Sequence, residues 1–204
     1  MKLTDDVLAM PDTDPRDLIV GGNTAKSRMY MSVPMRYLLE NGHLEKARLK
    51  RTHLKKESIV RIEGALDTNM LDYGCGRGDD IRDLLQEGIK CFGYDPYHND
   101  AKWTLRCKWP IVTCIYVANV LGRKEAQSLI GEIQDILRHD GVAFMAIRND
   151  LPEFGAHGRN CTQTPWKLEF GSRGSSEYHM GQTVHKSAGF YLYKFGKGDK
   201  CKVV

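Results

Sequence analysis

The sequence predicts an α/β domain: a mostly parallel sheet with an antiparallel edge strand and helices on both faces. Three observations predict it. From residue 69 onward, short runs of β character alternate with segments of helical periodicity, the order that builds parallel sheets. The first run ends in glycines at positions 74, 76 and 78, immediately before a helical segment. The second ends in an acid, Asp95, followed by Pro96. A length of 204 residues accommodates one such domain with added segments, and 41% hydrophobic content is enough for a core.

Residues 70–73 read as the first strand and 79–87 as the helix after the glycines, with Ile81, Leu84 and Leu85 expected on its inner face. Residues 90–95 form the second strand and 111–117 the third. Residues 124–138 form a helix in which Leu129, Ile130, Ile133, Ile136 and Leu137 recur at helical spacing. Only 15 residues separate Asp95 from Ile111, so one strand-helix step is expected to be abbreviated there. Gly141 opens a strand that ends at Ile147. In the tail, 167–170 and 189–195 have β character and are expected to supply the antiparallel edge.

The chain divides into an N-terminal part, 1–64, and the sheet domain, 65–204. The first 20 residues are acidic, carry Pro11 and Pro15, and read as a lead-in. A short helix is expected after Pro34, burying Met35, Leu38 and Leu39 and stopping at Asn41-Gly42. Residues 45–61 then concentrate Lys46, Arg48, Lys50, Arg51, Lys55, Lys56 and Arg61. Such a run is either a solvated face or an arm that contacts phosphates, with Lys50, Arg51, Lys55 and Lys56 as the contacting residues. A net charge of +4 is too small to point to a polyanion by itself.

No apolar run is long enough to span a membrane, and the start lacks the basic and apolar regions of a secretory signal. A cytoplasmic location with six reduced cysteines is therefore expected. None of the cysteines forms a CxxC pair, and the seven scattered histidines show no ligand spacing, so no metal site is expected. Cys114 and the tryptophans 103, 109 and 166 read as core residues ahead of nucleophile or base-stacking roles.

The chemistry is concentrated in Asp72-Tyr73-Gly74-Cys75-Gly76-Arg77-Gly78 and in Asp95. Glycines at alternating positions let the backbone turn sharply and approach a bound molecule, while an acid at the tip of the next strand can accept hydrogen bonds from a ribose. The spacing is GxGxG with an acid two residues ahead, not the GxGxxG of dinucleotide sites. A dinucleotide site, or a glycine turn kept for helix packing, remains the alternative.

This segment resembles the first motif of class I S-adenosylmethionine-dependent methyltransferases. There the leading acid lies near the amino end of the methionine moiety and the glycine loop passes under the ligand. The resemblance implies a Rossmann-like sheet and S-adenosylmethionine as cofactor. It implies Asp72, Tyr73, Gly74, Gly76, Gly78, Asp95, Pro96 and Tyr116 as the residues that hold it. Asp95-Pro96-Tyr97 is superficially similar to the DPPY signature of amino-methylating DNA enzymes, but it follows the second strand rather than the fourth. More narrowly, three passages resemble the methyltransferase-like proteins associated with DNA phosphorothioation and seen in phage. They are Thr24-Ala25 with Arg28, Ser32 and Pro34; residues 71–80; and Tyr116-Val117-Ala118-Asn119-Val120-Leu121.

Methyl transfer from a sulfonium mainly needs alignment of the attacking atom, with a base where the acceptor must lose a proton. Strand ends supply the candidates: Asp150 as base, Asn119 as a contact to substrate or to the methionine end, and Tyr116 beside them. Each has a bland alternative, namely turn chemistry for Asp150, helix capping for Asn119 and core packing for Tyr116. The expected acceptor is nucleic acid, DNA or RNA, or a nucleotide. The alternatives are a small-molecule acceptor and a non-catalytic binding module on the same fold.

Overall fold

The computed structural model describes residues 27–48, 69–153, 155–157, 161–171 and 181–204. The acidic lead-in, Thr24-Ala25, the boundary at 64/65 and the basic positions Lys50, Arg51, Lys55, Lys56 and Arg61 lie outside the described residues.

Helix α1, Val33–Glu40, starts with proline in its first turn and ends at Asn41. It buries Met35 and Leu38, as its sequence requires, while Leu39 is only partly buried. Strand β1, Met70–Tyr73, leads through the glycines into α2, Asp79–Gln86, and then β2, Cys91–Tyr94. One 3-10 turn, Lys102–Arg106, is all that lies between β2 and β3, Trp109–Ile115, so the expected abbreviation is present. Helix α3, Arg123–Ile136, runs directly into β4, Leu137–Arg148. That strand begins earlier than Gly141, because Leu137 pairs with Trp109 before an irregularity resets the register at Ile111 and Val142.

The remaining strands are β5, Ala156–His157; β6, Thr162–Gln163; β7, Leu168–Phe170; β8, Gln182–Lys186; β9, Phe190–Gly196; and β10, Cys201–Val203. The main sheet has the order β2-β1-β3-β4-β9-β8. Its first four strands are parallel, β9 is antiparallel to β4, and β8 is antiparallel to β9. The expected edge is thus half right. Segment 189–195 joins the sheet, but residues 168–170 pair instead with β10 in a separate two-stranded ribbon. The outer edge is the polar strand β8, which the apolar pattern did not reveal.

Alternation along the strands sorts the core into two layers. Leu71, Val112, Cys114, Ala143 and Met145 face α3, whose Ala126, Leu129, Ile130 and Ile133 are buried against them. Met70, Ile111, Ile115, Phe144 and Ala146 face α1 and α2. Each fully buried aliphatic side chain here contributes about 1.5–3 kcal/mol. On α2, Leu84 enters this core and Ile81 packs against it, but Leu85 is 50% exposed, contrary to expectation. An eight-residue helix lying on the sheet buries only a narrow stripe, and Leu85 falls outside it. Trp109 and Trp166 are buried, whereas Trp103 is half exposed. No helix among the described residues is long and apolar enough to cross a membrane.

Candidate active site

The chain leaves β1 toward β2 on one side and returns to β3 on the other, so the strand order reverses between β1 and β3. Open α/β sheets bind ligands beyond the strand C-termini at such a reversal. A cavity of about 1150 Å³ opens there.

Its first wall is the glycine loop. Gly74, Gly76 and Gly78 all have positive φ, at 76°, 55° and 78°. At Gly74 a side chain is excluded twice, because a Cβ would also overlap Val117 Cγ2. Four of the loop's amides are already committed. Gly74 and Cys75 N–H donate to Tyr94 O at 2.7 and 3.1 Å, and Gly78 N–H donates to Cys75 O at 3.0 Å. Gly76 N–H donates to Asp95 Oδ2 at 3.0 Å. Asp95 Oδ1 accepts from the backbone N–H groups of Tyr97 and His98, at 2.9 and 3.0 Å. A carboxylate offers about four acceptor positions, so Asp95 retains one, on Oδ2.

Beneath this loop lie carboxylates. Asp72 is buried on the α1/α2 side and accepts a 2.9 Å hydrogen bond from Thr113 Oγ1, its register partner on β3. Burial, and then the nearby Asp80, push its carboxyl well above the ordinary carboxylate range. Asp72 is not among the residues that line the cavity. Asp79 and Asp80 open α2 and receive the N-terminal segment. Arg28 N–H donates to Asp79 Oδ2 at 2.6 Å, and Arg28 Nη2 to Asp80 Oδ2 at 3.0 Å. Ser32 donates its N–H and its hydroxyl to Asp80 at 2.6 and 2.7 Å.

Tyr73 lies on the α3 side of the cavity and donates to Glu132 Oε2 at 2.5 Å, its ring edge-on to Tyr94. Burial, then Glu132, raise its hydroxyl far above the usual range. Pro96 and His98 line the second wall, and His98 Nε2 is buried without a hydrogen-bond partner.

The far end of the cavity is formed by Tyr116, Arg148, Asp150, Gln163 and the turn 187–190 between β8 and β9. Tyr116 is the one non-glycine residue with positive φ among the described residues, at 63°. A left-handed backbone there costs about 1–2 kcal/mol and turns the side chain toward the cavity, against Phe190. Burial pushes its hydroxyl up to about 12, with Arg148 opposing. Arg148 grips Asp150 through Nε and Nη2, at 2.9 and 2.8 Å, and donates from Nη1 to Gln163 at 2.7 Å. That pairing holds Asp150 below the usual carboxylate range, which makes it a poor base.

Asn119 does not line the cavity, contrary to expectation. It is buried, with Nδ2 donating to Thr164 O at 2.6 Å and Oδ1 accepting from Arg148 N–H at 2.9 Å. Its carboxamide ties the end of β4 to the segment before β7. Sequence reasoning missed His98, Glu132, Gln163 and Phe190. His98 was one of several scattered histidines, and its place three residues after Asp95 was the one available signal.

No family model matches the chain, and no curated protein matches it. Similar solved structures exist. Magnesium protoporphyrin IX methyltransferase from Synechocystis PCC 6803 with bound SAM aligns at 12% identity and a TM-score of 0.42, over 79% of this chain and 75% of that one. A structure described under the conversion of a disulfide bond into a thioacetal group during echinomycin biosynthesis aligns at 12% identity and TM-score 0.45, over 82% of each chain. The CcbJ methyltransferase from Streptomyces caelestis aligns at 12% identity and TM-score 0.33, over 67% of this chain and 68% of that one. Likenesses this distant leave activity open. The fold itself, a mostly parallel sheet with an antiparallel edge and helices on both faces, rests on the strand order and register.

Proposed function

We propose that the chain is an S-adenosylmethionine-dependent methyltransferase. One observation carries this: the glycine loop at the sheet reversal has committed four of its amides internally and rests on carboxylates. A pyrophosphate needs free N–H groups and a positive helix end. Here four loop amides are taken, and Asp79 and Asp80 occupy the first turn of α2. Such a bed leaves a phosphate few free donors, and its two acids are ion-paired, Asp79 with Arg82 and Asp80 with Arg28. Fit also comes from the cavity volume, which exceeds what an adenosine-sized ligand fills, and from the unpartnered Nε2 of His98 beside Asp95.

When bound, S-adenosylmethionine supplies a methyl group already activated on a sulfonium. The chain's own residues then bind and align. Gly74, Gly76 and Gly78 shape the floor, Asp95 receives one ribose hydroxyl on its remaining acceptor position, and Pro96 and Tyr73 line the nucleoside side. Tyr116 and Asp150 face the acceptor, with Asp150 orienting an acceptor N–H rather than removing a proton.

The acceptor we favour is a nucleic acid or nucleotide. Support comes from the basic run ahead of β1 and from the meeting of residues from the three passages of the narrower resemblance: Arg28 and Ser32 bind Asp79 and Asp80, and Val117 packs on Gly74. A small-molecule acceptor is the second reading, favoured by the deep placement of Phe190 and Ile115 in the cavity wall. Titration calorimetry with S-adenosylmethionine and with NAD tests the cofactor: heat from the first and none from the second is expected, with loss on Asp95→Ala. Labelled cofactor incubated with DNA, RNA, nucleotide and metabolite pools identifies the acceptor class. No heat from the wild-type chain removes the proposal.

A further inference from the structure

Arg28 is a cation of the cavity wall that is tied to the first turn of α2. Its backbone N–H and Nη2 are fixed on Asp79 and Asp80, and the side chain lines the cavity. Asp80 is buried and also holds Ser32 twice, so the anchor is rigid. The guanidinium has five donors, of which Nη2 makes the bond to Asp80. Its Nε–H is shut away from solvent and has no partner.

The other cations of the cavity wall are placed differently. Arg148 has Nε, Nη1 and Nη2 engaged with Asp150 and Gln163. Lys124 lies on α3, and Arg77 is exposed on the glycine loop. The amino-acid end of the proposed cofactor carries a carboxylate and an ammonium. The carboxylate of that end needs a cation within reach.

Resting on the proposed cofactor, we infer that Arg28 binds the ligand's α-carboxylate, while Asp80 holds the guanidinium in place from behind. Arginine is suited to this because its planar fork can grip one carboxylate at one edge and present donors at another. The N-terminal segment thereby becomes part of the ligand site rather than a cap on the domain.

The test is calorimetric and independent of turnover. Two probes are used: S-adenosylhomocysteine, and its decarboxylated form, which keeps the ammonium and lacks the carboxylate. Arg28→Leu is expected to weaken S-adenosylhomocysteine by roughly ten- to a hundredfold and to leave the decarboxylated probe within about twofold. Arg28→Lys keeps the charge without the fork and is expected to fall between wild type and Arg28→Leu. Equal losses for both probes, or no loss for either, overturn the role of Arg28 while the cofactor proposal stands. A wild-type chain that binds neither probe overturns both.

Discussion

Ser32 and Asp80 lie 48 positions apart in sequence and share two hydrogen bonds, from the Ser32 N–H and hydroxyl, at 2.6 and 2.7 Å. Both side chains are buried, so this contact fastens the segment before α1 onto the first turn of α2. Ser32→Ala is expected to cost about 1–2 kcal/mol, because one charge-assisted bond is lost and the backbone bond remains. Asp80→Ala removes the acceptor for three donors and is expected to cost about 3 kcal/mol or more. Hydrogen exchange at residues 28–32 should accelerate far more in the second variant than in the first.

Gly74 and Val117 make the glycine loop and the end of β3 one unit. Gly74→Ala meets two penalties: about 1–2 kcal/mol for a left-handed alanine, and about 1–3 kcal/mol for overlap with Val117. Val117→Ala in the same chain should return the second and not the first. A double-mutant cycle by denaturant unfolding measures the coupling, and additivity of the two changes would contradict the packing described.

Asp72 is buried with its carboxyl raised by burial and by Asp80. A folded carboxyl that titrates above its unfolded counterpart binds protons the unfolded chain has released. Stability contributed by this group therefore falls as pH rises through the interval between the two values. Asp72→Asn keeps an acceptor for Thr113 and removes the buried charge. Its melting temperature should exceed that of wild type at alkaline pH, by roughly 2–4 °C for each kcal/mol, and the gap should close toward pH 4. An equal or lower melting temperature at the alkaline end would show that the carboxylate is stabilised by the fold.

Asn119 serves the scaffold. Asn119→Ala leaves Thr164 O and Arg148 N–H without partners and is expected to cost about 2–4 kcal/mol. Titrated well below its melting temperature, the variant should bind S-adenosylhomocysteine as wild type does. Weakened binding without loss of stability would return Asn119 to the site.

The parts of the fold that depend on neighbours in sequence were legible. The strand-to-glycine turn, the short step after β2, the stop of α1 at Asn41 and the helical stripe of α3 all follow from local periodicity and backbone chemistry. What depended on distant partners was not. The family resemblance of its motif implies a ligand role for Asp72, and only the pairing of β1 with β3 shows it facing Thr113 beneath the loop. Asp95 has the expected position, but the turn at 97–98 takes two of its acceptor positions, which no residue pattern announces. Strand β8 is polar because it lies at the sheet edge, and for that reason it lacks the apolar alternation by which strands are recognised.

Asp95 staples Gly76 to the turn that follows β2, so the floor of the cavity has its shape before any ligand arrives. A molecule docking there meets a surface with little freedom left to lose. Encounter rates should accordingly vary little among related ligands, and selectivity should be expressed in how long each one stays.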